Sequence, residues 1–228
     1  MIKAVIFDMY ETLITHYSSP LYFSAQMCEE TGISREAFRK IWTETERKRT
    51  LGLMTFEEAI EIILKENGKY SDELFHSVVR HRKEAKRECF HHLHEEIIPL
   101  LAELKKREIL IGLISNCYSE EAEVIRNSIL FPYFDCACLS CEEGIAKPDP
   151  EIFALCVSRL HLKPEECIYI GDGGSHELEA ASACGMHAYQ AEWYLSAQKY
   201  MQGQIIPSFA QLESPLALLD LVTPPSKV

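Results

Sequence analysis

Short, wholly apolar segments alternate with amphipathic segments along most of this chain of 228 residues. The first apolar segment covers residues 4–7, and such a run without polar alternation is typical of a strand buried on both faces of a parallel sheet. From residue 95 onward, similar runs are separated by stretches with helical spacing of apolar positions. We predict strands at 4–7, 110–114, 134–139, 167–170 and 187–191, a short strand at 205–206, and a last helix near 215–221. This alternation predicts a doubly wound, parallel, Rossmann-like α/β sheet that binds ligands at the carboxyl ends of its strands.

The segment from about residue 21 to residue 90 has a different pattern, because it contains no convincing strand. It predicts successive amphipathic helices, with breaks at Gly32, Gly52 and Gly68. Ser34 and Thr55 stand where hydroxyl N-caps are expected, and acidic residues follow each of them in the first turn.

We therefore predict a helical cap domain at 16–90, inserted into an α/β core domain made of 1–15 and 91–228. A cap over the carboxyl edge of the sheet would exclude water from a site there and help to select the substrate.

The charge and composition of the chain restrict its partners. A formal net charge of −12 argues against a nucleic acid or an anionic membrane surface, and no apolar run approaches the roughly 20 residues needed to cross a bilayer. The nine cysteines and the absence of a signal-peptide pattern predict a reduced, cytoplasmic protein. We expect a small anionic metabolite as substrate and a monomer or homodimer. Such a substrate requires local positive charge within an acidic protein.

Three of the cysteines, Cys136, Cys138 and Cys141, are close together in the sequence. A structural zinc site would need a fourth ligand, and no second C-x-x-C pair is present. We therefore favour a strand whose small side chains are packed thiols.

Polar side chains directly follow three of the predicted strands. Asp8 follows the first strand, Ser115 and Asn116 follow the second, and Asp172 follows the strand at 167–170. Lys147 lies in a loop that leads into a predicted helix. Because the carboxyl ends of parallel strands meet at one edge, we expect these side chains to lie close together.

Four segments resemble the four motifs of the haloacid dehalogenase superfamily, in the same order. They are Phe7-Asp8-Met9-Tyr10-Glu11-Thr12-Leu13, then Ser115, then Lys147-Pro148-Asp149-Pro150, and finally the segment from Gly171 to Glu177. The helical insert lies between the first and second motifs, as in subfamily I with a C1-type helical cap. The resemblance covers about three quarters of the chain and implies a hydrolase with an aspartate nucleophile.

The residue types match the chemistry that this resemblance implies. Asp8 would be the covalent nucleophile, and Lys147 would supply a fixed positive charge beside it. Thr12, Ser115 and Asn116 are the expected substrate-binding residues.

Asp8, Asp172 and Glu177 are oxygen donors suited to Mg²⁺. The resemblance further implies that the backbone carbonyl of Tyr10 is a ligand and that Glu177 acts through water.

Tyr10 departs from the phosphatase pattern, which has an aspartate as general acid and base two residues after the nucleophile. Tyrosine, with an ordinary pKa of about 10, is a poor base at pH 7. With Tyr10, the first motif resembles that of the metal-independent 2-haloacid dehalogenases. With Asp172, the fourth motif resembles that of the Mg²⁺-dependent phosphatases. We expect a phosphatase with atypical acid/base catalysis, in which Tyr10 and Lys147 join Asp8 as catalytic residues.

The alternatives are a dehalogenase, for which Arg47 and Arg49 are candidate substrate ligands, and a phosphate-binding regulatory protein with little turnover. Glu11 could replace the missing acid, although a glutamate turned away from the site is the simpler interpretation.

Overall fold

One parallel sheet organises the computed structural model, which describes residues 1–195 and 205–222. Within these residues the sheet has six strands: β1 Ala4–Phe7, β2 Leu110–Ser115, β3 Cys136–Leu139, β4 Cys167–Gly171, β5 His187–Ala191 and β6 Ala210–Leu212. Their spatial order is β3-β2-β1-β4-β5-β6. The central strand β1 pairs with β2 on one side and β4 on the other, so that Phe7 is level with Leu113 and Ile170. The predicted Rossmann-like α/β fold is confirmed.

The helices are α1 Ser24–Thr31, α2 Arg35–Glu44, α3 Glu46–Thr50, α4 Phe56–Glu66, α5 Asp72–Glu88, α6 Ile97–Lys106, α7 Ser119–Arg126, α8 Ser140–Glu143, α9 Pro150–Arg159 and α10 Glu177–Ala183. Short 3₁₀ turns lie at Cys89–His91, Phe131–Tyr133, Pro164–Glu166, Gly174–His176 and Pro215–Asp220.

Both faces of the sheet are covered, which explains why β1 is wholly apolar. Val5 and Phe7 pack into the hydrophobic cluster on one face, whereas Ala4 and Ile6 pack into the cluster on the other. All four residues are fully buried. Asp8 is the first residue after this buried strand.

Helices α1 to α5 enclose a hydrophobic cluster of their own, which includes Met27, Phe38, Phe56, Ile60 and Val78. Two predicted helix starts are observed, because the Ser34 hydroxyl accepts a hydrogen bond from the Ala37 amide and Thr55 forms a capping box with Glu58. These helices lie within the predicted cap at 16–90, whose bounds stay a prediction.

The C-terminal part differs from the sequence prediction. Ile205 and Ile206 are not a strand, and the sixth strand is Ala210–Leu212. The Ile206 amide donates to the Gln190 side chain at 2.8 Å, and Pro207, which has no amide hydrogen, follows at once. The last predicted helix is a 3₁₀ turn at Pro215–Asp220.

Across residues 1–195 and 205–222, none of the helices combines the length and the apolar character that a membrane crossing needs.

The loop after α3 touches the core closely at Gly52. A Cβ atom added there would lie 1.8 Å from the carbonyl oxygen of Cys141 in α8. Gly52 also has a φ of +68°, a conformation that favours glycine. Near the same contact, the Phe56 amide at the start of α4 donates to the Ser119 hydroxyl at 3.0 Å.

Gly52→Ala is therefore expected to destabilise the protein more than Gly68→Ala does. Gly68 has almost the same φ, +63°, but no atom lies within 4 Å of its added Cβ. We expect Gly68→Ala to lower the unfolding free energy by about 1 kcal/mol from backbone strain alone, and Gly52→Ala to lower it by roughly 1–3 kcal/mol more. Urea denaturation at 25 °C measures both changes in unfolding free energy. Equal losses would show that the loop accommodates the added methyl group at Gly52 without further loss of stability.

Candidate active site

Asp8 lies at the carboxyl edge of the sheet, immediately after β1. Its amide donates to the carbonyl oxygen of Ile170 at 2.8 Å, which ties the residue to β4. The Lys147 ammonium donates to Oδ1 at 2.5 Å, and the Thr12 hydroxyl lies 3.4 Å from Oδ2. The side chain is almost completely buried. These contacts hold the carboxylate in one orientation.

Lys147 links two carboxylates. Its Nζ lies 2.5 Å from Asp8 Oδ1, 2.5 Å from Glu177 Oε2 and 3.3 Å from the Tyr169 hydroxyl. Burial alone would lower the pKa of this ammonium, but the charges of Asp8 and Glu177 outweigh burial and raise it. Lys147 therefore keeps its positive charge at neutral pH.

The side chain of Asn116 fixes the backbone of Lys147. Asn116 Nδ2 donates to the Lys147 carbonyl at 2.9 Å, and the Lys147 amide donates to Asn116 Oδ1 at 2.8 Å. The amide group of Asn116 is thus engaged in positioning the lysine. Its predicted role in binding substrate stays a prediction, although the residue lines the neighbouring cavity.

Three carboxylates crowd around the single lysine. Oxygens of Asp8, Asp172 and Glu177 lie within 4.8 Å of one another. Burial, together with the charges of Glu177 and Asp172, raises the pKa of Asp8 to about 8 despite the opposing charge of Lys147. Burial and the charge of Glu177 likewise raise the pKa of Asp172 to about 6. This excess of negative charge would be relieved by a cation.

The donor set fits a hard divalent cation such as Mg²⁺, because its ligands are carboxylate oxygens. Asp172 Oδ1 accepts from the Gly174 amide at 2.9 Å, so this residue also caps the following turn. Glu177 is already engaged by Lys147, by the Tyr169 hydroxyl at 2.8 Å and by the Gly173 amide at 3.2 Å. The indirect role of Glu177 through water, which the resemblance implies, stays a prediction.

The hydroxyl of Ser115 supports the presence of a ligand at this edge. Ser115 ends β2, is fully buried, and its Oγ has no hydrogen-bond partner among residues 1–195 and 205–222. Buried polar atoms rarely remain unpaired. A substrate oxygen would satisfy this one.

Tyr10 points away from the carboxylates, toward the cap. Its ring stacks on His16 with 4.5 Å between centroids, and its hydroxyl is buried without a partner in the described part of the chain. Burial and the charge of Glu121 raise the pKa of Tyr10 well above 10. The phenol is therefore neutral at pH 7 and cannot act there as a base.

Glu11 is engaged on the far side of the same loop. Its carboxylate accepts from the Thr15 hydroxyl at 2.6 Å and from the His16 amide at 3.0 Å. Burial would raise the pKa of Glu11, but hydrogen bonds from His16 and Thr15 lower it. This arrangement favours the interpretation of a glutamate turned away from the site.

A cavity of about 390 Å³ opens between the cap helices and the sheet edge. Its wall includes five ring side chains, Tyr10, His16, Phe23, Trp42 and Tyr118, and four charged ones, Glu46, Arg82, Lys86 and Glu121. Asn116 and Ser175 line it from the core.

Three of the charged residues of the wall, Arg82, Lys86 and Glu121, belong to a buried network that the sequence did not reveal. Arg82 on α5 contacts Glu120 at 3.0 Å and Glu121 at 2.9 Å, both on α7. Lys86 contacts Glu121 at 2.6 Å and His16 Nε2 at 2.5 Å. Only the spacing of these residues could have indicated the network. Val78, Arg82 and Lys86 are the buried residues of α5 and follow one another at intervals of four. The network connects the predicted cap with the core.

Tyr169 was also missed, since it looked like one more apolar residue of β4. It is fully buried, packs against the ring of Phe153 at 5.3 Å, and donates to Glu177. Its hydroxyl thus helps to hold Lys147 and Glu177 in place.

The fold and this arrangement define a class, the Rossmann-like α/β hydrolases. The sequence model described as "haloacid dehalogenase-like hydrolase" matches residues 2–185. The chain therefore belongs to the haloacid dehalogenase-like hydrolase family, and it is an enzyme of that superfamily.

Three named proteins illustrate the similarity of this chain to others in sequence. A phosphorylated carbohydrates phosphatase of Thermotoga maritima is 33% identical over 192 residues, which are 81% of this chain and 82% of the relative. Two other matches cover little of the relative. Mouse acyl-CoA dehydrogenase family member 10 is 44% identical over 69 residues, 30% of this chain and 6% of its own length. The rhythmically expressed gene 2 protein of Drosophila melanogaster is 37% identical over 92 residues, 39% of this chain and 35% of its own length.

Solved structures show the same fold. A HAD family enzyme of Bacteroides thetaiotaomicron, in complex with magnesium and inorganic phosphate, superposes with a TM-score of 0.64 at 22% identity, over 84% of this chain and 94% of that one. L-2-haloacid dehalogenase of Xanthobacter autotrophicus, with chloropropionic acid covalently bound, gives a TM-score of 0.62 at 18% identity, over 97% and 98% of the two chains.

Asp8→Asn should stabilise the metal-free protein at alkaline pH. The folded state raises the pKa of Asp8 from 3.8 to about 8, so its contribution to stability is present below pH 4 and is lost as the pH rises toward 8. Asparagine removes this loss. In EDTA at pH 8.5, we expect a melting temperature a few degrees above that of the unaltered chain, and a flatter dependence on pH between 5 and 8.5.

Asp72→Asn is the control, because Asp72 is an exposed residue at the start of α5. If both variants shift the melting temperature equally at pH 5 and pH 8.5, the crowded carboxylates do not destabilise the site.

Proposed function

We propose that this hydrolase cleaves a small phosphorylated metabolite, with Asp8 as nucleophile and Mg²⁺ as cofactor. One observation carries the proposal: Asp8 is held by Lys147 beside Asp172 and Glu177, at the sheet edge where Ser115 has an unpaired hydroxyl. The names of the relatives support it, since the Thermotoga maritima protein is a phosphatase of phosphorylated carbohydrates.

The chemistry follows from these positions. An oxygen of the Asp8 carboxylate attacks phosphorus, the bond to the leaving oxygen breaks, and water then cleaves the aspartyl phosphate. Lys147 and the hydroxyls of Ser115 and Thr12 stabilise the negative charge on the phosphoryl oxygens. Asp8, Asp172 and the Tyr10 carbonyl would hold Mg²⁺, and Glu177 would act on it through water. The ion would neutralise further negative charge on the phosphoryl oxygens.

Leaving-group protonation is the weak step of this site. Tyr10 takes the place of the usual aspartate, and both oxygens of Glu11 contact residues 15 and 16. We therefore expect esters whose leaving group needs little proton assistance to react fastest. The aromatic wall of the cavity would hold the leaving group.

The nine cysteines are all free thiols, which supports a reducing compartment such as the cytoplasm.

Hydrolysis of an aryl phosphate such as p-nitrophenyl phosphate tests the proposal. We expect release of p-nitrophenol with Mg²⁺, loss of release in EDTA, and a fall of at least about 10³-fold in Asp8→Asn. Asp149→Asn is the matched control, because Asp149 lies near Lys147 but serves as the N-cap of α9, a role that asparagine also fills. No release above that of Asp8→Asn would refute a phosphatase. Stabilisation by Mg²⁺ and phosphate without any turnover would instead favour a phosphate-binding regulatory protein.

Tyr10→Asp should increase hydrolysis of alkyl phosphates, whose leaving group needs a proton. Restored general acid catalysis is worth about 10²–10⁴-fold, and we expect a gain of at least tenfold in kcat on a sugar phosphate. Tyr10→Asn has a similar shape without the carboxyl group and serves as the control. An equal gain in the asparagine variant would attribute the effect to space and not to proton transfer.

A dehalogenase is the second candidate, favoured by Tyr10 and by Arg49. The Arg49 guanidinium is fully buried and contacts the rings of Trp42 and Tyr118, which line the cavity, and its Nε and Nη2 have no hydrogen-bond partner in the described residues. Halide release from 2-chloropropionate in EDTA, together with no phosphate release, would establish this function instead.

A further inference from the structure

Three cysteines meet on the α9 face of the sheet, away from the candidate active site. The sulfur atoms of Cys136 and Cys138 on β3 and of Cys156 on α9 lie within 4.8 Å of one another. Their side chains are 7%, 0% and 0% exposed. Cys141, which the sequence grouped with the first two, lies instead 4.0 Å from Cys117 and packs with the opposite hydrophobic cluster. The group in space is therefore different from the group in sequence.

The spacing of the sulfurs suits one bound ion. Three sulfurs at about 2.3 Å from a single metal in a plane lie about 4.0 Å apart. The Cys136 and Cys138 sulfurs are 3.9 Å apart. The backbone makes room for the third, because a Cβ at Gly112 of β2 would lie 3.1 Å from the Cys156 sulfur.

A cation lies next to this group of thiols. Arg159 Nη1 is 3.5 Å from the Cys138 sulfur, and the same guanidinium is held by Glu143 at 2.5 and 2.8 Å. Simple apolar packing of thiols does not require an arginine at one of them. A positive charge there favours thiolate, the form that binds metal.

We propose that Cys136, Cys138 and Cys156 bind one Cu(I) ion through their three sulfurs. Within residues 1–195 and 205–222, no further His, Cys, Asp or Glu joins the group, whereas structural zinc takes four ligands. Soft sulfur ligands select Cu(I) among the metals that accept three. Three thiolates and Cu⁺ sum to a charge of −2, which the neighbouring Arg159 partly offsets. Three thiol protons pass to solvent, and no electron is transferred.

Anaerobic titration of the reduced, metal-free full chain with Cu(I), in competition with bicinchoninate, tests this site. We expect one equivalent to be retained, X-ray absorption to show three sulfur neighbours, and the ion to raise the melting temperature. Retention of no ion, or of an ion with only two sulfur neighbours, would refute the proposal. Preferential retention of Zn²⁺ with an oxygen neighbour would refute the choice of metal.

Variants assign the ligands. Cys138→Ser and Cys156→Ser should each weaken Cu(I) retention by at least tenfold, whereas Cys141→Ser should retain the full equivalent. Cys141 is the matched control, since it belongs to the motif in sequence but not to the group in space. Circular dichroism and thermal melting of the metal-free variants show that each is folded. Loss of the ion in Cys141→Ser with retention in Cys156→Ser would overturn the assignment.

Discussion

The position of one buried lysine organises the candidate active site. Lys147 Nζ lies 2.5 Å from both Asp8 and Glu177, and the loop that carries it is fixed by two hydrogen bonds to Asn116. Three carboxylates around one ammonium leave a net negative charge in a buried space, which is unfavourable without a further cation. Burial and this excess of negative charge together raise the pKa values of Asp8 and Asp172. A bound cation, as proposed above, would relieve this excess, and without one the excess would reduce the stability of the fold.

Charged side chains join helix α5, which lies in the predicted cap, to helix α7 of the predicted core domain. Arg82 and Lys86 on α5 and Glu120 and Glu121 on α7 are almost fully buried, and all of them except Glu120 line the cavity beside the sheet edge. Their charges largely cancel within the protein. Under the proposed function, the positive charge for an anionic substrate would therefore come mainly from Lys147 and the proposed Mg²⁺. The aromatic side chains are left to contact the rest of the substrate.

The sequence predicted the residues whose place depends on the main chain alone. Asp8, Ser115 and Asp172 follow buried strands, and parallel pairing brings such positions to one edge whatever their side chains do. It could not predict contacts that depend on side-chain direction across elements. Cys156 replaces Cys141 beside Cys136 because α9 packs over β3, and Tyr169 meets Lys147 because β4 turns that side chain toward α9. The strand at Ala210–Leu212 was missed because three residues with a central glutamine carry almost no pattern.

Tyr10 shows how one position can be both a catalytic substitution and a structural contact. Its ring stacks on His16, and Lys86 Nζ lies 4.9 Å from its centroid, so the tyrosine packs against the network that joins the cap to the core. An aspartate there would add a fourth carboxylate near Asp8 and a negative charge beside Glu121, although Lys86 would partly offset both. The tyrosine therefore limits the negative charge of the site and adds contact area to the cap. The loss of a carboxyl group at this position and the gain of contacts with His16 and Lys86 follow from the same side chain.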